Sequence, residues 1–238
     1  MIQVGLLGAN GRMGKWIDQI IEKDYSEKAH IQSRITRGDD QLPLLQADVV
    51  LDVSHPQAMV ALVKKALQHP KKLPAFVVGS TGWSSEEMSD LKKLAKKTPV
   101  LISSNFSVGI YIFNKILKDN AVLLKNLGYS AVLVETHHCH KKDAPSGTAL
   151  SIQKALMPYT PTEIQTHSIR AGEVIGDHQV TFYGPADHLR LSHSAQDRSI
   201  FARGAIDVAL WLSTLTPQPS PPSHLLEMSD YFQHLLVK

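Results

Sequence analysis

The 238-residue chain has a single cysteine, Cys139, so it cannot form an internal disulfide. That usage is typical of a reducing compartment and favours a cytoplasmic location. The first residues lack the cationic start of a secretory signal, and no apolar run approaches the ~20 residues that a membrane-spanning helix needs. We therefore expect a cytoplasmic protein without a membrane segment.

Aromatic residues make up only 6% of the chain, and the formal net charge is only +3. No stretch combines clustered Lys and Arg with interleaved aromatic side chains, so no nucleic-acid partner is predicted. Lysine pairs such as Lys64-Lys65 and Lys92-Lys93 are better explained as solvated helix faces. The hydrophobic fraction of 43% is ordinary for a globular protein, and the length is enough for one large domain or two smaller ones.

A glycine motif opens the chain. Residues 2–7 form a mostly apolar run, Gly8, Gly11 and Gly14 follow at regular spacing, and apolar residues then recur at helical spacing. This Gly-x-x-Gly-x-x-Gly motif is a variant of the dinucleotide-binding fingerprint, in which the glycines allow a tight turn, close approach to a pyrophosphate and helix packing. The strand before it and the helix after it predict a dinucleotide-binding unit.

The alternation of strands and helices continues to about residue 103. Further strands are predicted at residues 31–36, 48–53, 75–79 and 99–103. Ser84 and Glu87 have the spacing of a capping box, which predicts a helix to about Lys97. Alternating strands and helices predict a parallel, doubly wound sheet whose ligands bind beyond the carboxyl ends of the strands.

The pattern changes in the second half of the chain. We expect helices at 108–127, 148–157, 199–213 and 224–236, a strand at 129–139, and strands at 164–170, 178–183 and 188–194 that alternate like half-exposed antiparallel strands. A proline-rich linker is predicted at Thr216–Pro222, and Pro158–Pro161 should break the chain. The predicted fold class is α/β, a Rossmann-like doubly wound parallel sheet with an inserted α+β domain.

A cluster of titratable residues lies in this second half. His137, His138, Cys139, His140, Lys141 and Lys142 are consecutive, and an Asp-Ala-Pro-Ser-Gly-Thr turn follows at the start of a predicted helix. Backbone N–H groups at a helix start bind anions, and the neighbouring His and Lys add charged or titratable donors. The combination predicts a site for a small acidic molecule.

Zinc is the main alternative for this cluster, and we predict no metal. Residues 137–140 on an extended strand would point to alternate faces, so they would not converge on one ion. Lys141 and Lys142 would also repel a cation. We expect no chemical role for Cys139 or His140. Ser146 lacks the surrounding residues of a nucleophile elbow. The remaining histidines considered, expected to be structural or exposed, are His55, His69, His178, His188 and His193.

The stretch Glu135-Thr-His-His-Cys-His-Lys-Lys-Asp-Ala-Pro-Ser-Gly-Thr-Ala resembles the signature of the dihydrodipicolinate reductase family. Other segments occur in the family's order: Gly8–Gly14, Gly79–Gly82, Asn105–Gly109, Arg170–Gly172, Phe201–Ala205 and Ala209–Leu212. The resemblance covers nearly the whole chain and is weakest at residues 22–47 and 214–238. It implies a two-domain, homotetrameric enzyme that reduces a cyclic imine dicarboxylate with NADH or NADPH, in lysine and diaminopimelate biosynthesis.

The resemblance also implies roles for individual residues. His137 would be the proton donor, Lys141 would hold the substrate and favour the developing charge, and His138 would bind substrate. Ser146, Gly147 and Thr148 would grip a substrate carboxylate. The residues expected to contact the cofactor are Gly8, Asn10, Gly11, Arg12, Met13, Gly14, Thr36, Arg37, Gly79, Ser80, Thr81, Ser103, Ser104, Asn105 and Phe106. Residues 1–107 and 203–238 would form the dinucleotide-binding domain, and 108–202 the substrate-binding and tetramerisation domain.

The end of the second predicted strand bears on the choice of cofactor. NAD-selective folds usually place an acidic residue there to bind the ribose 2′-hydroxyl. Here Thr36 and Arg37 occupy that region, so no carboxylate repels a 2′-phosphate, and Arg37 with Arg12 would bind one. We therefore expect a preference for NADPH over NADH. If the strand register is shifted, Asp39 or Asp40 would instead be the ribose ligand.

Two other functions are compatible with the two-domain plan. One is an NAD(P)-dependent dehydrogenase of amino-acid metabolism with a different substrate, and the other is a non-enzymatic nucleotide-binding regulator. The His-His-x-x-Lys and Ser-Gly-Thr arrangement favours the reductase over another dehydrogenase, because the substrate domain carries the specificity. A regulator would be expected to lose His137 and Lys141, and both are present.

Overall fold

The structure is a computed structural model that describes residues 1–157, 164–216 and 222–237. The chain forms two compact units: unit 1 comprises Met1–Phe106 and Ser199–Lys238, and unit 2 comprises Ser107–Arg198. The sequence predicted the unit boundaries after residues 107 and 202. The observed boundaries lie one residue and four residues earlier, after Phe106 and Arg198. The assignment of cofactor to the first unit and substrate to the second stays a prediction.

Unit 1 is built on a five-stranded sheet. Its elements are β1 (Ile2–Leu7), α1 (Arg12–Asp24), β2 (Ala29–Ile35), a 3-10 helix (Leu42–Gln46), β3 (Val49–Asp52), α2 (Pro56–Gln68), β4 (Ala75–Val78), α3 (Ser85–Ala95) and β5 (Val100–Ile102). Unit 2 then contributes α4 (Val108–Asn126), β6 (Ser130–His137), α5 (Gly147–Leu156), β7 (Gln165–Arg170), β8 (Asp177–Tyr183) and β9 (His188–Ser194). The chain returns to unit 1 with α6 (Ser199–Ser213) and α7 (Met228–Leu236).

The sheet of unit 1 is parallel throughout, with the strand order β2-β1-β3-β4-β5. Every residue of β3 and β4 is buried, which explains why these strands are continuous apolar runs rather than alternating ones. The ladder extends past the strand ends, because the Gly8 N–H donates to Ile35 O at 2.9 Å and the Val53 N–H to Leu7 O at 3.0 Å. The loops that follow β1, β2 and β3 therefore lie at one edge of the sheet, and the fold class predicted from the sequence is confirmed.

The capping box predicted at Ser84 is present. The Ser84 hydroxyl accepts the N–H of Glu87 at 3.2 Å, and the Glu87 carboxylate accepts the N–H of Ser84 at 2.8 Å. Two N–H groups that a helix start leaves without partners are thus satisfied. The helix ends at Ala95, two residues before the predicted Lys97.

Unit 2 has a four-stranded sheet with the order β7-β6-β8-β9. β8 and β9 are antiparallel as expected, but β7 runs parallel to β6, so the prediction of an antiparallel β7 was wrong. Exposed and less exposed side chains alternate along a strand in the same way whether it pairs parallel or antiparallel to its neighbour. The direction follows from α5, which lies between β6 and β7 and makes the crossover that parallel neighbours require. The core of this unit lies between the sheet and helices α4 and α5.

Other differences from the sequence expectations are local. β6 ends at His137 rather than at residue 139, α7 begins at Met228 rather than at His224, and the 3-10 helix was not predicted. The Pro158–Pro161 break, and most of the Thr216–Pro222 linker, lie outside the described residues. Within the described ranges, no helix has both the length and the apolar character needed to cross a membrane.

Candidate active site

The glycine turn after β1 leaves room that larger residues would fill. Gly8 has a φ of +94°, and a Cβ there would lie 2.9 Å from the backbone carbon of Val53. A Cβ on Gly14 would overlap the carbonyl oxygen of Gly8, so α1 packs against the turn only because residue 14 is glycine. The N-cap of helix α1 is Gly11, which has no side chain to bond the first N–H groups of the helix. The turn fits a dinucleotide whose pyrophosphate binds at the helix N-terminus.

A buried carboxylate organises the neighbouring loops of this edge. Asp52, at the end of β3, is completely buried and accepts hydrogen bonds from the hydroxyls of Ser54 and Ser80, both at 2.5 Å. Burial raises the pKa of Asp52, against the effect of these hydrogen bonds and of the two serine N–H groups. Asp52 therefore fixes the loop of Gly79, Ser80 and Thr81, and the sequence reasoning missed it.

The other residues expected to contact cofactor belong to the same unit, in the turn before α1, the first turn of α1 and the loop after β5. Asn10, Gly11 and Arg12 are exposed, and Met13 is half-buried. In the loop after β5, Ser104 is exposed, Phe106 is buried, and the Ser103 hydroxyl both donates to Asn105 O at 2.7 Å and accepts its N–H at 3.1 Å. This loop is thus held by its own hydrogen bonds.

An acidic residue, Asp39, lies in the turn that follows β2. The Asp39 carboxylate accepts the backbone N–H of Thr36 at 2.7 Å and its hydroxyl at 2.8 Å. These bonds lower the pKa of Asp39, the backbone bond having the larger effect. Arg37 is exposed on the same turn. Both the basic residue and the alternative ribose ligand are therefore present here, and the cofactor preference stays a prediction.

In unit 2, strand register brings four polar side chains together. Glu135 and His137 are two residues apart on β6 and so point to the same face. On one side His178 of β8 lies directly opposite Glu135, and on the other side Arg170 of β7 lies opposite His137. Ser146, at the start of α5, completes the group.

Glu135 is the centre of this group. The Nδ1 atom of His137 lies 2.5 Å from Oε2 of Glu135, and the Arg170 guanidinium donates to Oε1 at 2.9 Å. The Ser146 N–H lies 3.3 Å from the same Oε1. Although full burial of this side chain would raise its pKa, bonds from Ser168, Arg170 and Ser146 and the charge of His137 lower the pKa of Glu135 to about 2. The carboxylate is therefore an anion at neutral pH.

Two imidazoles meet at this carboxylate. The rings of His137 and His178 are edge to face, with centroids 5.2 Å apart, and Nε2 of His178 lies 3.4 Å from the Ser146 hydroxyl. Burial, and then the charge of His137, lower the pKa of His178 to about 4. Burial also lowers the pKa of His137, against the opposing effect of Glu135. His178 is consequently neutral at physiological pH, while His137 keeps an anion beside it.

The predicted substrate residues follow in the turn after β6. The Lys141 N–H donates to His138 O at 3.1 Å, and its ammonium lies 2.7 Å from the Asp143 carboxylate, whose pKa it lowers. The Ser146 hydroxyl caps α5 by accepting the Ala149 N–H at 3.1 Å, so both its polar groups are engaged within the protein.

Gly147 and Thr148 lie in the first turn of α5, where the carboxylate contact is predicted. A Cβ on Gly147 would meet no atom within 4 Å, so space is open there. Substrate binding by His138, Ser146, Gly147 and Thr148 stays a prediction.

In the part of the chain that the structure describes, two groups of side chains have the atom types and spacing of metal ligands: Glu135 with His137 and His178, and Cys139 with His140 and Glu173. In the first group, Oε2 of Glu135 and Nδ1 of His137 are 2.5 Å apart. Two atoms that bind one zinc ion tetrahedrally, each at ~2 Å from the metal, would lie farther apart than this. The Arg170 cation also bonds the same carboxylate. The side chains of the second group are all exposed.

The sequence expectation that residues 137–140 lie together on one extended strand was wrong, because β6 ends at His137. The absence of a metal stays a prediction.

The sequence reasoning missed Glu135, Arg170 and His178 as parts of the site. In the sequence Glu135 is the first residue of the family signature, and its spacing of two residues from His137 was the usable signal. His178 was expected to be structural or exposed. It lies next to His137 because β8 pairs antiparallel with β6, which no local pattern shows.

Two family models together match nearly the whole chain. The family model described as "Dihydrodipicolinate reductase, N-terminus" matches residues 2–106, and "Dihydrodipicolinate reductase, C-terminus" matches residues 109–232. A 4-hydroxy-tetrahydrodipicolinate reductase of Caulobacter vibrioides is 33% identical, covering 96% of this chain and 96% of its own. One of Campylobacter jejuni subsp. doylei is 30% identical over 99% and 98% of the two chains.

Among solved structures, the dipicolinate-bound dihydrodipicolinate reductase of Paenisporosarcina sp. TG-14 has the same fold. Its TM-score is 0.76 at 20% identity, and the match covers 95% of this chain and 97% of that one.

Proposed function

The chain belongs to the dihydrodipicolinate reductase family, and we propose that its glycine turn binds the cofactor while His137 and Lys141 act on the substrate. The enzyme is an oxidoreductase that reduces dihydrodipicolinate (4-hydroxy-tetrahydrodipicolinate) to tetrahydrodipicolinate with NAD(P)H, in lysine and diaminopimelate biosynthesis. Bound NAD(P)H supplies the hydride. The observation that carries the assignment of roles is the buried His137–Glu135 contact at 2.5 Å, with Lys141 four residues along the chain.

His137 donates the proton that completes the reduction. Hydride transfer adds two electrons to the substrate ring, and the charge that develops there takes up one proton. An imidazolium can give that proton near neutral pH, and a neighbouring carboxylate keeps imidazolium accessible in a buried place. Both substrate carboxylates add negative charge, so substrate binding should raise the pKa of His137 from its lowered value in the free protein.

Lys141, His138 and the start of α5 hold the dicarboxylate. The Lys141 ammonium now bonds Asp143, so it can exchange that partner for a substrate carboxylate. The N–H groups of Gly147 and Thr148 lie in the first turn of α5, where an anion is favoured. An ammonium close to the ring also stabilises charge that develops during hydride transfer.

NADPH is the preferred cofactor in this proposal, with some use of NADH. Arg37 and Arg12 are exposed near the cofactor edge, and Asp39 is already bonded to Thr36. Replacing Arg37 with Ala should lower kcat/KM for NADPH more than for NADH, since only NADPH carries the 2′-phosphate. A tenfold preference of the parent enzyme for NADH would overturn this part of the proposal.

We also propose a homotetramer in the cytoplasm. The sheet of unit 2 exposes Ile169 and Tyr183 at 47% and 48%, on the face opposite the β6 residues that meet α4 and α5. The single cysteine, Cys139, is free and exposed, which suits a reducing compartment. Sedimentation equilibrium would test the tetramer, and a stable monomer at working concentrations would refute it.

The activity is tested by following NADPH oxidation with freshly generated dihydrodipicolinate. We expect substrate-dependent oxidation by the parent protein. His137→Gln should lower kcat with little change in cofactor affinity, whereas Lys141→Ala should lower kcat and raise the KM for substrate. Unchanged rates in either variant would refute the role assigned to that residue.

A further inference from the structure

We propose that Glu135 is a positioning residue that holds Nδ1 of His137 and thereby presents Nε2 as the proton-donating atom. This inference rests on the role proposed above for His137. The Oε2 atom of Glu135 lies 2.5 Å from Nδ1, and the carboxylate is fully buried, so no water competes for that contact. A carboxylate beside Nδ1 fixes the N–H there and leaves Nε2 for the substrate.

The carboxylate is itself held from two sides. Arg170 donates to Oε1 at 2.9 Å and to the carbonyl of Asp143 at 2.5 Å, and the Ser146 N–H approaches Oε1 at 3.3 Å. Oε1 is thus contacted by Arg170 and the Ser146 N–H, whereas Oε2 faces Nδ1 of His137. Because β6, β7 and the start of α5 each contribute one of these groups, Glu135 cannot rotate without breaking contacts to all three.

The space at Nε2 is kept clear by a glycine. A Cβ built on Gly176 would lie 3.1 Å from Nε2 of His137 and 3.4 Å from its Cδ2. Its φ is not in the left-handed region, so the backbone conformation does not require glycine there. The requirement is room beside the ring, on the side where a proton would leave.

The protonation cycle follows from these two contacts. His137 as imidazolium carries N–H at both nitrogens, and transfer of the Nε2 proton to the substrate leaves the neutral tautomer with N–H on Nδ1. Glu135 stabilises the charged form before transfer and stays beside the Nδ1 proton after it, and it does not itself take the proton. Two cations of the described residues, Lys141 of the following turn and Arg170 of β7, lower the pKa of His137, and the His178 ring of β8 lies edge to face with it. Glu135 is therefore the anion that raises the pKa of His137, against the lowering effects of burial, Lys141 and Arg170.

Glu135→Gln tests the inference. We expect kcat to fall by at least about tenfold while the dissociation constant for NADPH stays within about twofold, because the donor is displaced but the cofactor unit is untouched. The decline of kcat/KM with rising pH should move to lower pH, because the variant lacks the anion that favours imidazolium. Glu135→Asp, which keeps the charge, should restore the position of that decline. Glu173→Gln, which removes an exposed carboxylate of the same unit, is the matched control and should behave like the parent.

Nitrogen NMR of the His137 ring provides a test that does not require turnover. In the parent the neutral ring should carry its proton on Nδ1, and in Glu135→Gln the proton should shift toward Nε2. If Glu135→Gln is poorly folded because Arg170 loses its partner, Glu135→Gln/Arg170→Gln removes both charges. The two changes act on the pKa of His137 in opposite directions, so in this double variant the position of the ring proton is the readout.

An unmoved pH profile together with unchanged ring nitrogens would overturn the positioning role and leave Glu135 a structural residue. A parent protein with the Nδ1 tautomer but without substrate-dependent NADPH oxidation would instead refute the proposed role of His137, so the two failures are distinguishable.

Discussion

The buried imidazole of His178 should make the protein lose stability in mild acid. Its pKa is about 4 in the folded protein, whereas an unfolded chain gives a histidine its ordinary pKa of 6.5. Because the folded value is the lower one, the unfolded chain takes up the proton first as the pH falls. Above pH 6.5 His178 is neutral in both states and contributes no pH dependence. Between pH 6.5 and about 4 the folded state is progressively destabilised.

The size of the loss follows from the two pKa values. At about 1.4 kcal/mol for each pH unit, the interval from 6.5 to about 4 corresponds to about 3 kcal/mol of unfolding free energy. His178 is only 4% exposed, so solvent screening does not reduce this much. The loss is a substantial part of the 5–15 kcal/mol that holds a typical domain together, roughly a third.

The assay is urea unfolding, followed by circular dichroism, at a series of pH values between neutrality and pH 4. His178→Gln is neutral at every pH, so its stability should fall by about 3 kcal/mol less than that of the parent over this range. His30→Gln, an exposed histidine on β2, is the matched control and should follow the parent. If the parent and His178→Gln lose equal stability between pH 6.5 and 4, the reasoning about His178 is refuted.

Three further predictions concern other parts of the chain. Gly14→Ala should weaken NADPH binding by tenfold or more in fluorescence titration, since its Cβ would overlap the Gly8 carbonyl; near-parental affinity would contradict the role of this turn. Ser84→Ala should lower the unfolding free energy by about 1 kcal/mol in urea titration, because it removes half of the capping box, and an unchanged midpoint would count against it. Gly176→Ala should lower kcat more than it affects NADPH affinity, because the methyl group would press on Nε2 of His137; equal kcat values would show that this space is not needed.

The fold was predictable where local chemistry decides it. The glycine turn, the apolar strands β3 and β4, and the Ser84–Glu87 capping box each depend on residues close in sequence, and the structure confirms them. The direction of β7 was not predictable from its exposure pattern, because alternation is the same in parallel and antiparallel strands.

The site shows the same division between local and long-range information. His137, Lys141 and the Ser-Gly-Thr turn were identified because they lie within twelve residues of each other in a recognisable motif. The partners that set the chemistry of His137 come from 33 and 41 positions further along the chain, at Arg170 and His178. Only strand pairing brings them to β6, so a sequence pattern could not place them. Asp52 was missed for a similar reason, since its serine partners belong to two different loops.

His137 is the proposed proton donor of this reductase. The most direct measurement is the steady-state rate of NADPH oxidation with freshly generated dihydrodipicolinate, for the parent and His137→Gln, alongside the NADPH dissociation constant of each. We expect kcat to fall by about 100-fold or more, the range for loss of a general acid, while the dissociation constant changes by less than about twofold. Equal kcat values for the two proteins would contradict the role proposed for His137.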